Sequence, residues 1–75
     1  MLVNLKLNRE ISDLEAEIEL LEEKRTRSQA ALLDAVLDGV EPNGEDMDYF
    51  RLFTAQIEVK REKLQKLIMK RDGKI

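Results

Sequence analysis

The sequence predicts an all-α protein, an antiparallel helical hairpin (a two-helix coiled coil) that pairs with a second copy into a four-helix bundle. Its 75 residues are 39% charged and 43% hydrophobic, which is typical of long helices and coiled coils. Apolar residues recur at alternating spacings of three and four, the pattern of a coiled-coil seam. The only proline and two of the three glycines lie between residues 39 and 44, so one turn is expected within a single domain, 1–75.

The first helix is expected over residues 4–38. Its apolar residues take the a and d positions of a heptad, which keep one face of the helix toward a partner helix. Arg25 and Ser28 interrupt this frame at its middle with polar side chains. The complete set of seam positions is Ile11, Leu14, Ile18, Leu21, Arg25, Ser28, Leu32 and Ala35.

Residues 1–7 fit two patterns. Val3, Leu7 and Ile11 continue the helical stripe, whereas Val3, Leu5 and Leu7 alternate with polar residues as in a strand. The segment is therefore either the start of the helix or an extended docking arm. In the register given below, Leu2–Leu7 extends past the second helix, so its apolar side chains are expected to dock on another chain.

The turn is expected at residues 39–45. Gly39 suits the left-handed position that follows a helix, and Pro42 is a common stop just beyond it. Asn43 can cap the second helix through its side-chain oxygen, and the acids that follow it are favoured by the helix dipole.

The second helix is expected over residues 46–72. Folding the chain about a point between Pro42 and Asn43 places Ala35 opposite Phe50, and the same register places Arg25 opposite Lys60. Acids of the first helix then lie opposite bases of the second, with Glu15, Glu19 and Glu22 facing Lys70, Lys66 and Lys63. The seam of this helix is Phe50, Phe53, Ile57, Lys60, Leu64, Leu67 and Arg71.

Apolar residues outside the seam predict a second chain. One hairpin buries one stripe of each helix, and patches of apolar side chains left in water usually mark interfaces. A second hairpin would cover them, giving a homodimer, and a different protein partner or a larger assembly is the alternative. These extra apolar positions are Leu20, Leu33, Leu37, Leu52, Val59 and Ile68.

Charge is distributed unevenly along the chain. The net charge of −3 hides a segment, residues 28–50, with six acids and no base, followed by residues 51–75 with eight bases and three acids. We call the acidic group the acidic tip, and it could steer a basic partner toward the loop end. Its members are Asp34, Asp38, Glu41, Glu45, Asp46 and Asp48.

A polar break at mid-length forms a second candidate site, the basic waist, which consists of Arg25, Arg27, Lys60 and Arg61. Such a cluster could receive an acidic partner or a phosphate. The alternatives are that these side chains extend outward beside neutralising acids such as Glu22, or that polar seam residues specify the register.

The sequence has no residue pattern typical of a catalytic or metal-binding site. It has no histidine and no cysteine, which removes the commonest general base, thiolate nucleophiles and thiolate metal sites. The loop fits a calcium-binding frame poorly, because Val36 occupies a ligand position. We therefore expect no catalytic residue, no cofactor and no metal ligand.

These observations predict a non-enzymatic structural or assembly protein that acts by coiled-coil self-association, for example as a component of a phage or secretion assembly. The alternative is a small regulatory binder, an inhibitor or chaperone, that presents the acidic tip or the basic waist to a protein target. Nucleic acid binding through the basic second helix is a distant third. No small-molecule substrate, signal peptide or membrane segment is expected, and the cytoplasm or an assembled particle is the expected location.

Overall fold

The computed structural model describes the backbone of residues 2–73 and the side chains of residues 4–73. Two helices, α1 (Leu2–Leu37) and α2 (Gly44–Asp72), pack antiparallel along their length, which confirms the all-α helical hairpin. The molecule is a rod of 57 × 18 × 16 Å with a Cα radius of gyration of 16.8 Å. A compact domain of this length would have a radius of gyration of about 11 Å. The rod therefore has a thin core and a large surface.

The turn between the helices is built from local hydrogen bonds. Gly39 has a φ of 72°, the left-handed conformation expected of it, and the amide of Val40 donates to the carbonyl of Ala35 at 3.0 Å. Together with the bond from the amide of Gly39 to the carbonyl of Val36, this bond forms a Schellman motif, which satisfies the last carbonyls of α1. On the other side, Asn43 caps α2, with its Oδ1 accepting from the amide of Glu45 at 2.9 Å. Because Asn43 is the cap, α2 begins at Gly44, two residues before the expected start.

The core runs from the middle of the rod toward the end farthest from the turn. The most buried apolar side chain is Ile57, with an exposed fraction of 0%, and it shares a cluster with Leu14 and Ile18. Leu21, Leu64 and Leu67 pack against this cluster and are partly buried. Since each helix contributes side chains at heptad spacing, the pairing buries a single narrow layer.

The contacts between the two helices are displaced from the register that the sequence predicted, toward the start of α1. Lys60 was expected opposite Arg25, but its Nζ binds Glu17 Oε2 at 2.8 Å. Arg71 was expected opposite Leu14, but it donates to Asn8 Oδ1 at 3.2 Å. Both partners lie nearer the start of α1 than expected. The prediction was wrong because it centred the turn between Pro42 and Asn43, whereas the observed loop spans residues 38–43.

The start of α1 is helical and lies within reach of α2. Leu7 has an exposed fraction of only 6%, and Asn8 accepts the hydrogen bond from Arg71. The expectation that Leu2–Leu7 has no partner inside the hairpin is therefore wrong for Leu7, since the shifted register brings α2 beside it. Leu5 remains exposed. The side chains of Leu2 and Val3, and Lys74 as a whole, lie outside the described residues.

Candidate protein-binding surfaces

The predicted self-association seam lies between the two helices of one chain. Its residues are buried or partly buried there, and Ile11 and Ile57 are among the most buried side chains. The hairpin itself therefore covers much of this seam. The remaining seam residues are Leu14, Ile18, Leu21, Leu32, Phe50, Phe53, Leu64 and Leu67, all buried or half-buried.

Two grooves run along opposite sides of the helix pair. One passes Glu10, Asp13 and Lys63, and the other passes Glu19, Glu22 and Arg61. Both are open and have charged rims over a floor of seam residues. In the second groove the rim charges Glu22 and Arg61 form an ion pair.

Exposed apolar residues concentrate toward the turn. Of the six extra apolar positions, Leu20, Leu33, Leu37, Leu52 and Val59 are exposed, whereas Ile68 is half-buried. Leu37 reaches 75% and Val59 reaches 68%. The group near the turn also includes Val36 and Val40. Val40 is not among the predicted apolar positions, because it lies in the loop and therefore has no heptad position.

The exposed surface is large for the mass of the chain. The accessible surface is 6069 Å². A globular monomer of 8.7 kDa would expose about 4,700 Å², so this hairpin exposes roughly 1,300 Å² more. An excess of that size comes from the rod shape and matches the area that stable protein interfaces cover.

The acidic tip lies at the same end of the rod as this apolar group. Glu45 and Asp46 lie in the first turn of α2, where the helix dipole stabilises their negative charges. Asp46 is half-buried. Asp34 and Asp38 lie near the C-terminal end of α1, which is the negative end of its helix dipole. The last turn of α1 holds no base. The dipole disfavours acids there, so helix stability does not account for these two residues. Glu41 and Asp48 are exposed.

The basic waist is partly neutralised within the hairpin. Lys60 binds Glu17, and Arg61 binds Glu22 at 3.3 Å. Hydrogen bonding from Lys60, and then its charge, lower the pKa of the Glu17 carboxyl below its ordinary value. Arg25 is half-buried in the seam and Arg27 is exposed.

These pairs correct the expected ones. The like-charged layer of Arg25 and Lys60 does not form, because the shifted register gives Lys60 an acidic partner. Glu22 binds Arg61, where Lys63 was expected. Two of the four waist cations are thus engaged with α1, which favours the interpretation of the waist as part of the fold.

Comparison with protein-family models, with curated proteins and with solved structures finds no match. Neither helix, within residues 2–73, has a stretch long and apolar enough to cross a membrane. The exposed apolar side chains and the charge pattern of the rod are therefore the features that bear on function.

Proposed function

We propose that this chain is a non-enzymatic structural or assembly protein that self-associates as a homodimer. In this proposal two hairpins pack side by side into a four-helix bundle, and the bundle is a component of a larger complex such as a phage or secretion assembly. The observation that carries the proposal is the apolar surface left open by the hairpin, above all Leu37, Val36 and Val59.

The energetics favour association. Burying one Leu or Val side chain contributes about 1.5–3 kcal/mol. A standard interface covers roughly 800 Å² on each partner, which is within the excess surface of this rod. The bundle geometry suits two hairpins because each presents a long face with grooves on both sides of its seam.

The test is the mass of the protein in solution. Light scattering after size exclusion, from low to high micromolar concentration, should give about twice the 8.7 kDa of one chain. A folded protein that keeps the mass of one chain throughout this range would overturn the proposal. Circular dichroism on the same samples establishes that the helices are formed.

A second candidate function rests on the acidic tip. Asp34 and Asp38 carry charges that the end of α1 disfavours, beside the exposed side chains of Leu37 and Val40. Such a combination fits a basic, partly apolar partner, to which this chain would bind as a small inhibitor or chaperone. Reversing both charges with Asp34→Lys and Asp38→Lys should abolish capture of that partner while the helical content stays unchanged, and retained capture would remove this candidate.

A further inference from the structure

One stripe of α1 carries a self-complementary charge pattern. Taking every seventh residue gives Lys6, Asp13, Leu20, Arg27 and Asp34. Each of these immediately precedes a seam position, 7, 14, 21, 28 or 35, that is buried or half-buried against α2. Because the seam keeps facing α2 along the rod, the stripe keeps one orientation too. At 1.5 Å per residue it is about 42 Å long.

The stripe is available for binding. All five of its side chains are exposed, and Leu20 has an exposed fraction of 52%. The ion pairs found within residues 4–73 join Glu17 to Lys60, Glu22 to Arg61, Glu62 to Lys66 and Arg71 to Asp72. The four charged members of the stripe take part in none of them. In contrast to Lys60 and Arg61, these charges therefore have no ion-pair partner among the described residues of the hairpin.

The order of charges distinguishes two ways of pairing the stripe with its own copy. When two copies run antiparallel about Leu20, Lys6 meets Asp34, Asp13 meets Arg27, and Leu20 meets Leu20. When they run parallel, each charge meets its own sign. A two-fold axis makes each unlike pair occur twice, which is the self-complementarity that a symmetric dimer requires.

We infer that α1 binds α1 of a second copy in antiparallel orientation, with the two-fold axis of the dimer beside Leu20. This inference rests on the self-association proposed above and adds the surface and the direction. The four ion pairs surround one leucine contact. Exposed pairs contribute only about 0–1 kcal/mol each, so their main effect is to select the antiparallel arrangement over the parallel one.

Single cysteines give the most direct test, because the natural chain has none. Leu20→Cys should form a disulfide-linked dimer under mild oxidation, since two residues beside a two-fold axis can bring their Cα atoms within about 7 Å. Leu33→Cys is the matched control, because Leu33 is exposed to 57% on the same helix but lies off the stripe. Equal linking of the two variants would contradict the inference.

A mixture of two variants tests the direction. Lys6→Cys and Asp34→Cys, combined with a short bismaleimide linker, should form a mixed product between the two proteins. Linking of each variant only to itself would show a parallel dimer and overturn the inference.

A charge exchange tests the electrostatic origin of the pairing. Arg27→Asp places two acids opposite each other twice per dimer and should weaken the dimer about tenfold or more. Adding Asp13→Arg restores unlike pairs and should recover most of the affinity. Arg51→Asp, an exposed change of equal charge on α2 and off the stripe, is the control. If the double variant is as weak as the single one, the stripe does not pair in this way.

Light scattering on the same proteins separates this inference from the proposal beneath it. If the protein is a dimer but its Leu20→Cys variant does not crosslink, antiparallel pairing through the stripe is wrong and self-association is retained. If the protein is a monomer at all concentrations, both proposals are wrong.

Discussion

The half of the hairpin farthest from the turn and the half that contains the turn differ in where their apolar side chains lie. The far half holds Leu14 and Ile18 of the buried cluster, which Ile57 joins from the middle of α2. In the turn half, seam residues such as Leu32 are only half-buried, while Leu33 and Leu37 point into solvent. The middle and the far half therefore hold most of the packing that stabilises the hairpin, and the turn half leaves apolar side chains in solvent, where the proposed partner would cover them. In a 75-residue chain these two uses compete for the same few side chains.

The largest expected effect breaks the buried cluster at the middle of α2. Ile57→Ala removes the one side chain among residues 4–73 whose exposed fraction is 0%, and it should lower the free energy of unfolding by about 2–5 kcal/mol. Leu32→Ala, at a half-buried seam position of the turn half, should lower it clearly less, because less buried surface and a smaller cavity are involved. Urea denaturation measures both. Equal losses would show that the halves are packed alike.

The next effect concerns the turn itself. Gly39→Ala puts a side chain on a residue with a φ of 72° and should destabilise the protein by about 1–2 kcal/mol. Gly44→Ala is the control, because Gly44 is helical and nothing lies within 4 Å of the added carbon. It should be neutral or slightly stabilising. A neutral Gly39→Ala in thermal denaturation would contradict the Schellman turn.

Removing the cap of α2 should cost somewhat less. Asn43→Ala deletes the Oδ1 that accepts from the amide of Glu45, with an expected loss of about 1 kcal/mol. Asn43→Asp keeps an acceptor and should preserve stability. If both substitutions destabilise equally in urea, the capping bond is not the reason that α2 starts where it does.

A substitution in the turn half should stabilise the protein. The Oγ1 atom of Thr54 is buried without a hydrogen-bond partner in the structure. Thr54→Val replaces that hydroxyl with a methyl group of the same shape and should raise the free energy of unfolding by about 1 kcal/mol. Thr26→Val on α1 is the contrast, since its hydroxyl is exposed and donates to the carbonyl of Glu22 at 2.9 Å. A gain at Thr26 and none at Thr54 would show that burial of the hydroxyl is not costly.

The smallest effect is a pH dependence at the middle of the rod. The folded chain holds the pKa of Glu17 below its ordinary value through Lys60. The resulting stabilisation is present above the unfolded pKa, about 4.3, and is lost as the pH falls through the lower folded pKa. Glu17→Gln should therefore flatten the decline of stability below about pH 4 relative to the unsubstituted protein. Declines of the same steepness in urea denaturation from pH 7 to pH 2.5 for Glu17→Gln and the unsubstituted protein would remove this pair as a contributor.

Much of the fold follows from local rules in the sequence. The heptad positions identify the seam of both helices, Gly39 takes its left-handed conformation, and Asn43 caps α2. Each of these depends on residues close to one another along the chain. Local chemistry is sufficient for them because the hydrogen bonds involved span fewer than about six residues.

The register and the site could not be predicted to the same degree. Sliding one helix past the other by one heptad returns seam residues to seam residues, so the heptad alone does not select the alignment. The loop constrains it, and the sequence predicted a loop over residues 39–45 where the structure has residues 38–43. The ion pairs of Lys60 and Arg61 depended on this alignment and were missed with it. Which face binds a partner depends on a second molecule that one sequence does not describe.

We expect the seam to be used within one chain and the outer surface of the hairpin to bind a second copy. Isotope-filtered NMR on a mixture of ¹³C-labelled and unlabelled protein detects contacts between chains alone. The account predicts no interchain contact between Ile18 and Ile57, together with an interchain contact from Leu20 to Leu20. An interchain contact between Ile18 and Ile57 would mean that the helices pair between chains, and it would contradict the hairpin on which the account rests.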